Sequence, residues 1–315
     1  MSKYKTFLDL LFHRPGRLVE AAFDNLCRIG FFNRLDDKSF LSLAYRIHMK
    51  EKLDLDNPLT FNAKLQWLKL YDRNPNYTGM VDKIQAKEYV KMVLGSEYVI
   101  PTLRVWDSPE QIATESLPDQ FVIKTSNGSG GSDVIVCMDK ASFNIKDVQR
   151  RMSKSLKKNV YRSLREWPYK DIQAKIFAEQ FMTDSGEELH DYKFFCFHGT
   201  VACFKVDFNR WVGHRANYYT PDLQLIPYGE VVCPPDFTQN PPIPANINEM
   251  IKVAEKLSAN YPFMRVDLYN VSGKIYFGEM TFYPASGFGP FTDKKFDYIL
   301  GYMLKVPFAH DATTI

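Results

Sequence analysis

Three features of the sequence predict an α+β protein with mostly antiparallel strands behind a helical N-terminal region. Apolar residues recur at helical spacing through roughly the first 75 positions. From Phe121 onward, short apolar runs joined by polar or glycine-containing turns take over. The last two runs, around Val266 and Phe277, are linked only by Asn270-Val271-Ser272-Gly273, a hairpin-like reversal. A chain of 315 residues exceeds the usual single core, so two or three packed subdomains are expected, with a helical region over 1–75 and a boundary at the loop near 71–77.

The elements follow in order. Leu18, Ala21, Ala22, Phe23 and Leu26 mark one helix, and Phe61, Leu65 and Leu68 another, which starts after Asn57-Pro58-Leu59 with Thr60 or Asn62 as its cap. Residues 71–77 read as a loop, 82–94 as a helix, and 98–100 as a strand. Residues 121–124 and 134–137 form two strands around Asn127-Gly128-Ser129-Gly130-Gly131-Ser132. A basic helix over 145–159 precedes strands at 176–182, 192–197 and 201–206. A proline-rich loop (233–244), a helix (247–259) and the strands 263–269 and 274–280 complete the chain.

Composition narrows the function. With 45% hydrophobic and 24% charged residues the chain can bury a sizeable core. A net charge of +3 is too small to argue for nucleic acid by bulk attraction, so no nucleic-acid partner is expected, although a local basic surface stays open. The five cysteines are scattered, with no C-x-x-C pair, and fit a reducing cytoplasm. The apolar stretch 7–13 is too short and interrupted to cross a membrane. Flanked by Lys3, Lys5, Arg14 and Arg17, it reads as a packed helix or, alternatively, as a peripheral contact with the inner membrane surface.

Two segments carry chemistry. The glycine run Gly128, Gly130, Gly131, with Ser129, could turn backbone N–H groups toward a phosphate, and Lys124 at the end of the incoming strand could neutralise it. No G-K-[ST] follows, so this is not a Walker A loop, and the alternative is a plain flexible turn. In the late hairpin, alternation places Arg265, Asp267 and Tyr269 on one strand face, and Glu279 and Thr281 on one face of the next. Two acidic oxygen donors beside an arginine suit Mg²⁺ bridging phosphate oxygens. The other reading is a cross-strand ion pair.

Together these segments resemble the ATP-grasp superfamily, and within it the TupA-like ATP-grasp family of bacterial surface-polysaccharide gene clusters. The resemblance runs from Asn57 to Pro307. It rests on Thr60-Phe61-Asn62-Ala63-Lys64-Leu65-Gln66-Trp67-Leu68-Lys69-Leu70-Tyr71-Asp72-Arg73, on Lys124 with the glycine loop, and on Arg165-Glu166-Trp167-Pro168-Tyr169-Lys170. Asp191-Tyr192-Lys193-Phe194-Phe195, Arg265-Val266-Asp267-Leu268-Tyr269 and Gly278-Glu279-Met280-Thr281-Phe282-Tyr283-Pro284 extend it. It implies two α/β subdomains gripping ATP between antiparallel sheets, the lid in 76–178 and the metal site in 179–315. It also implies ATP and Mg²⁺ as cofactors. Lys83 and Lys124 are similar to the two ATP lysines, Glu179-Gln180-Phe181-Met182 to the adenine hinge, and Asp191 to the ribose acid. Asp267 and Glu279 resemble the metal carboxylates, with Thr281 where the family pattern usually has asparagine. Arg265, Lys193, Arg215 and Arg210 resemble the cations of phosphoryl transfer. His214, Asn217, Ser286 and Gly287 resemble residues lining the acceptor.

The implied activity is ATP-dependent ligation of a carboxylate to an amine through an acyl phosphate. The gene context of the family implies an amino acid joined to a uronic acid carboxyl in capsule, O-antigen or teichuronopeptide synthesis. Two other readings remain: a glycosyltransferase, for which Asp54-Leu55-Asp56 supplies a D-x-D string, and a non-catalytic ATP-binding scaffold.

Overall fold

A computed structural model describes residues 15–128, 134–184, 189–209 and 213–307. The stretch 7–13, considered above for membrane contact, lies outside them, and among the described residues no helix is long and apolar enough to cross a membrane.

The chain opens with α1 (Pro15–Arg28), α2 (Asp37–Met49) and α3 (Phe61–Tyr71). The Thr60 hydroxyl accepts the Ala63 N–H at 3.2 Å, which makes Thr60 the cap of α3. Asn62 sits inside the first turn instead, with its backbone N–H on Asp297 and its amide on Gly289 O. Phe23, Phe40, Leu41, Ala44 and Tyr45 form a local core with Ala63 and Phe288.

Helices α4 (Asn76–Val81) and α5 (Lys83–Val93) follow, the second capped by Asp82. The strand expected at 98–100 is absent. Ser96–Tyr98 is a 3₁₀ turn, Val99 makes one bridge to Phe277, and β1 begins only at Thr102 (Thr102–Trp106). Pro101, which has no N–H to donate, stands where the ladder would have to start.

Next come β2 (Phe121–Thr125), β3 (Val134–Cys137), α6 (Ile145–Leu156), α7 (Val160–Leu164) and β4 (Ile176–Gln180). The four strands form an antiparallel sheet in the order β1-β4-β2-β3. Alternation sends Phe121, Ile123, Ile135, Ile176 and Ala178 into a core with Val148 and Met152 of α6. The other face, with Val122, Lys124, Val136 and Glu179, looks into a cleft. The small-sheet unit thus closes at Gln180, and β4 crosses the boundary expected at 178/179. Met80, Val81, Ala86 and Val90 of α4 and α5 pack with the larger sheet's core.

That larger sheet contains β5 (Asp191–Phe197), β6 (Thr200–Phe208), β7 (Arg215–Tyr219), β8 (Leu225–Ile226), β9 (Phe263–Val271) and β10 (Lys274–Thr281). Its order is β10-β9-β5-β6-β7-β8, again antiparallel. Helix α8 (Ile247–Ser258) precedes β9 and contributes Met250, Val253, Ala254 and Leu257 to the core that Phe194, Val266 and Leu268 enter. The opposite face of β5, β6 and β9 carries charge. Helix α9 (Lys294–Met303) packs against α3 at the end of the chain.

Candidate active site

A single irregularity gathers the late acids. The β9–β10 hairpin begins with Val271 opposite Lys274 and runs in register to Leu268 opposite Phe277. In unbroken register Asp267 would meet Gly278 and Glu279 would point into the core. A bulge at Gly278 shifts the pairing, so Glu279 lies opposite Asp267 and Thr281 opposite Arg265. All four side chains then share the polar face. Glycine is required there because a Cβ on residue 278 would lie 2.9 Å from Asp267 O. Gly278→Ala is therefore expected to lower turnover about 10- to 100-fold through misplacement of Glu279. ADP release, compared at unchanged circular dichroism, measures it, and full activity in the variant would show that the bulge tolerates a side chain.

The charges interlock. Arg265 Nε and Nη2 each lie 2.7 Å from an oxygen of Asp267, and Nη2 also reaches Glu279 Oε1 at 3.1 Å and Thr281 Oγ1 at 3.2 Å. Lys83, the first residue of α5, meets Glu279 Oε2 at 3.2 Å. On β5, Lys193 sits opposite Asp267 in the register, with Nζ 3.1 Å from Asp267, 2.7 Å from Asp191 and 3.3 Å from Asp207. Burial works against a charge on Glu279, but Lys83, Arg265 and Lys193 hold its carboxyl well below the usual range. Burial likewise opposes Lys193 and Arg265, and Asp267 outweighs it, keeping both cations protonated far above neutrality.

This donor set suits a hard cation. Carboxylate oxygens of Asp267 and Glu279 and the Thr281 hydroxyl converge on one face, each now facing Lys83, Arg265 or Lys193. Those three cations are the groups a polyphosphate would draw off, leaving the oxygens for Mg²⁺.

A cavity of about 420 Å³ adjoins the cluster between the two sheets. Val122, Lys124, Val136 and Met138 wall one side, residues 179–183 form the edge, and Tyr269 stands across from them. Its largely apolar walls and size suit a planar heterocycle. Glu179 is buried under it, with Oε1 on Lys124 and Oε2 on Lys87 Nζ at 2.7 Å. Burial disfavours that carboxylate, yet the two lysines lower its pKa. A larger groove, about 740 Å³, lies elsewhere beside Leu59, Tyr298 and Tyr302, away from all these residues.

The remaining expected residues are placed variously. Gln180 is exposed and Phe181 and Met182 half-buried, all three lining the cavity. Asp191 is buried against Lys193 and does not line it. Gly128 is buried at the end of the β2 turn, its N–H on Thr125 O. Ser129, Gly130, Gly131 and Arg210 lie outside the described residues. Arg215 opens β7 opposite Phe208, and His214 stands 3.4 Å from Asp207. Asn217 is fully buried and engaged in pinning a loop, bonding Asp236 and Gln239 backbone atoms. Ala285, Ser286 and Gly287 all take left-handed φ values, 46°, 54° and 65°. Gln66 and Lys69 donate to the Ser286 carbonyl, Gln66 also to Gly287 O, and the Ser286 hydroxyl bonds Glu166. Lys87 and Glu166 join these clusters in addition to the residues the sequence singles out. Lys87 follows Lys83 by four positions, one helical turn on the same face, which is the available signal.

Residues 63–305 match the sequence model of the TupA-like ATP-grasp family, within the span of the resemblance noted above. The chain belongs to that family. Among solved structures it is similar to the D-alanine–D-alanine ligase of Helicobacter pylori, at 14% identity and a TM-score of 0.42, over 78% of this chain and 69% of that one. The ADP complex of the N5-carboxyaminoimidazole ribonucleotide synthetase purK gives 15%, 0.40, 70% and 50% in the same order. The ATP-grasp ligase PsnB complexed with its minimal precursor gives 12%, 0.38, 70% and 59%. The chain therefore spans between 50% and 69% of these proteins' lengths. No curated protein matches it. The Asp54-Leu55-Asp56 string is a loop with both acids exposed and Leu55 packed on the helical core, in which the Asp54 carboxylate accepts the backbone N–H groups of Asp56 and Asn57.

Proposed function

We propose that this TupA-like ATP-grasp enzyme joins the carboxyl of a uronic acid to an amino acid in bacterial surface-polysaccharide synthesis, at the cytoplasmic face of the cell. The observation that carries the ligase reading is convergence. Lys83, Lys193, Arg265, Asp267 and Glu279 come from α5, β5, β9 and β10 and meet in one ion cluster, beside a cavity walled by Lys124 and residues 179–183.

In this reading the base of ATP occupies the cavity and Lys83 and Lys124 hold its phosphates. Asp267, Glu279 and Thr281 would hold Mg²⁺, which would supply neutralisation of the phosphate oxygens. The substrate carboxylate attacks the γ-phosphorus in line, ADP leaves, and an acyl phosphate results. Arg265 and Lys193 stabilise the charge that develops on the transferred group. The amine then attacks the acyl carbon, displaces phosphate, and releases its proton to solvent. Ser286 and Gly287, in their left-handed turn, and Arg215 with His214 flank the acceptor in this scheme.

The test is ADP release with Mg-ATP across uronic acid derivatives and the common amino acids, followed by mass spectrometry. An adduct heavier than the acid by the amino acid less water is expected. ATP binding with no ADP release on any pair favours the scaffold, and turnover of a nucleotide sugar without ATP favours a glycosyltransferase.

A further inference from the structure

Beside Lys193 lies a second cluster with a different donor chemistry. Asp207, near the end of β6, is buried and turns Oδ2 toward both Lys193 Nζ at 3.3 Å and His214 Nε2 at 3.4 Å. Lys205 Nζ lies 3.8 Å from its other oxygen. Cys233, a buried thiol in the loop after β8, brings sulfur to the same place. The carboxylate oxygen, imidazole nitrogen and sulfur all lie within 4.8 Å of one another.

Each donor is held by the fold. Asp207 pairs with Ala216 across the β6–β7 ladder, which carries His214 over the end of that strand pair. Glu230, three residues before Cys233, is fixed by Lys205 and by the Tyr218 hydroxyl, each at 2.7 Å, and bridges to Phe291. The loop that presents the thiol is therefore anchored.

The spacing suits a tetrahedral ion. With metal bonds of about 2.0–2.3 Å, neighbouring donors in a zinc site lie roughly 3.3–3.7 Å apart. The Asp207–His214 distance of 3.4 Å is already such an edge, and a rotamer adjustment of about 1 Å at Cys233 closes the set. The His214 side chain is 43% exposed, so an ion can reach the site and keep water at a fourth position. A thiolate, an imidazole and one carboxylate select a borderline transition metal over Mg²⁺, which demands oxygen.

We propose that Asp207, His214 and Cys233 form a zinc-class metal site, separate from the Asp267–Glu279 cluster, whose occupancy withdraws Asp207 from Lys193. The ion takes the lone pair of Oδ2 that now faces the ammonium, and the thiol proton leaves to solvent as the sulfur–metal bond forms. Lys193 and Lys205 oppose the incoming charge, and the two anionic donors balance it. Lys193 keeps Asp191 and Asp267 as partners, so its pull on Asp267 strengthens. The effect on turnover rests on the ligase reading; the metal site does not.

Metal-free full-length protein is titrated with Co²⁺ for its spectrum and with Zn²⁺ against a chromophoric chelator. One equivalent with a thiolate-to-cobalt charge-transfer band is expected. Cys233→Ser should lose the band and weaken Zn²⁺ binding by more than the roughly 10- to 100-fold that outer-shell changes cost. His214→Ala, at an exposed position, should also weaken it and serves for the metal-binding measurement if the serine variant does not fold. Stoichiometric Zn²⁺ should slow ADP release by the wild type about tenfold or more and leave Cys233→Ser at its metal-free rate. No thiolate band, or equal Zn²⁺ affinity in wild type and both variants, overturns the site. Tight binding with unchanged ADP release overturns the link to Lys193. Absence of ADP release without any zinc would count against the ligase reading alone, since the affinity measurement needs no turnover.

Discussion

Glu279→Gln is expected to reduce turnover by at least about 100- to 1000-fold while leaving the fold intact. The substitution preserves shape and removes one charge from the oxygen pair that Lys83 and Arg265 face at 3.2 and 3.1 Å. Little is stranded by the loss. The Glu279 side chain is 41% exposed, Lys83 can turn to solvent, and Arg265 keeps its two bonds to Asp267. Stability should therefore stay within about 1 kcal/mol of the wild type. Asp267→Asn would be a poorer probe, because it takes from Arg265 its two-point partner and from Lys193 one of its three carboxylates, both in the interior. Urea unfolding and ADP release on the same preparation separate the two effects, and a folded Glu279→Gln enzyme with near-normal turnover removes Glu279 from the metal site. The same cations fix a pH expectation. Because they hold the Glu279 carboxyl below its ordinary range, its ionised form persists as pH falls. Any acid limb of the rate above about pH 5 must then belong to another group.

How much of this was legible beforehand depends on whether one strand or several had to be known. Alternation along a single strand placed Arg265, Asp267 and Tyr269 on one face, and the structure keeps them there. That Glu279 joins them was foreseeable as a hairpin, but the bulge that makes it so was not. A two-residue turn gives one register, and only the close approach of residue 278 to Asp267 O shows why the register slips. Sequence cues for helices held where caps were strong, as at Thr60, and the strand at 98–100 failed where Pro101 deprived the ladder of a donor. Least visible were the contacts joining distant segments. Lys69, Glu166 and Ser286 come from α3, the turn after α7 and the turn after β10, yet they form one buried cluster. Burial pushes the Glu166 carboxyl up and the Lys69 ammonium down, each moderated by the other. No periodicity encodes such a meeting, since each residue alone looks like an ordinary charge on a helix or in a loop.

The largest effect on stability is expected at Glu179 rather than in the ion cluster of the large sheet. Its carboxylate is shared by two lysines of unequal freedom. Lys124 is 22% exposed and can be solvated, whereas Lys87 is 8% exposed, lies over the Phe177 ring and, among the described residues, donates to Ile100 O, Thr102 and Glu179, which is its carboxylate partner. Glu179→Gln leaves the Lys87 charge buried without a counter-charge, at a cost of about 3–5 kcal/mol. Adding Lys87→Met should recover much of that, because the stranded charge, not the missing bond, carries the penalty. The pH dependence has a definite sign. Burial opposes the Glu179 charge, but Lys124 and Lys87 win and lower its pKa. The stability it confers is thus complete above the unfolded carboxyl pKa of about 4.3 and is lost as pH falls through the lower folded value. The gap between wild type and Glu179→Gln in urea unfolding should be widest near neutrality and shrink in acid. A gap under about 1 kcal/mol at pH 7, or one that widens on acidification, would mean that Lys87 finds another partner and that Glu179 serves the cleft without holding the sheet together.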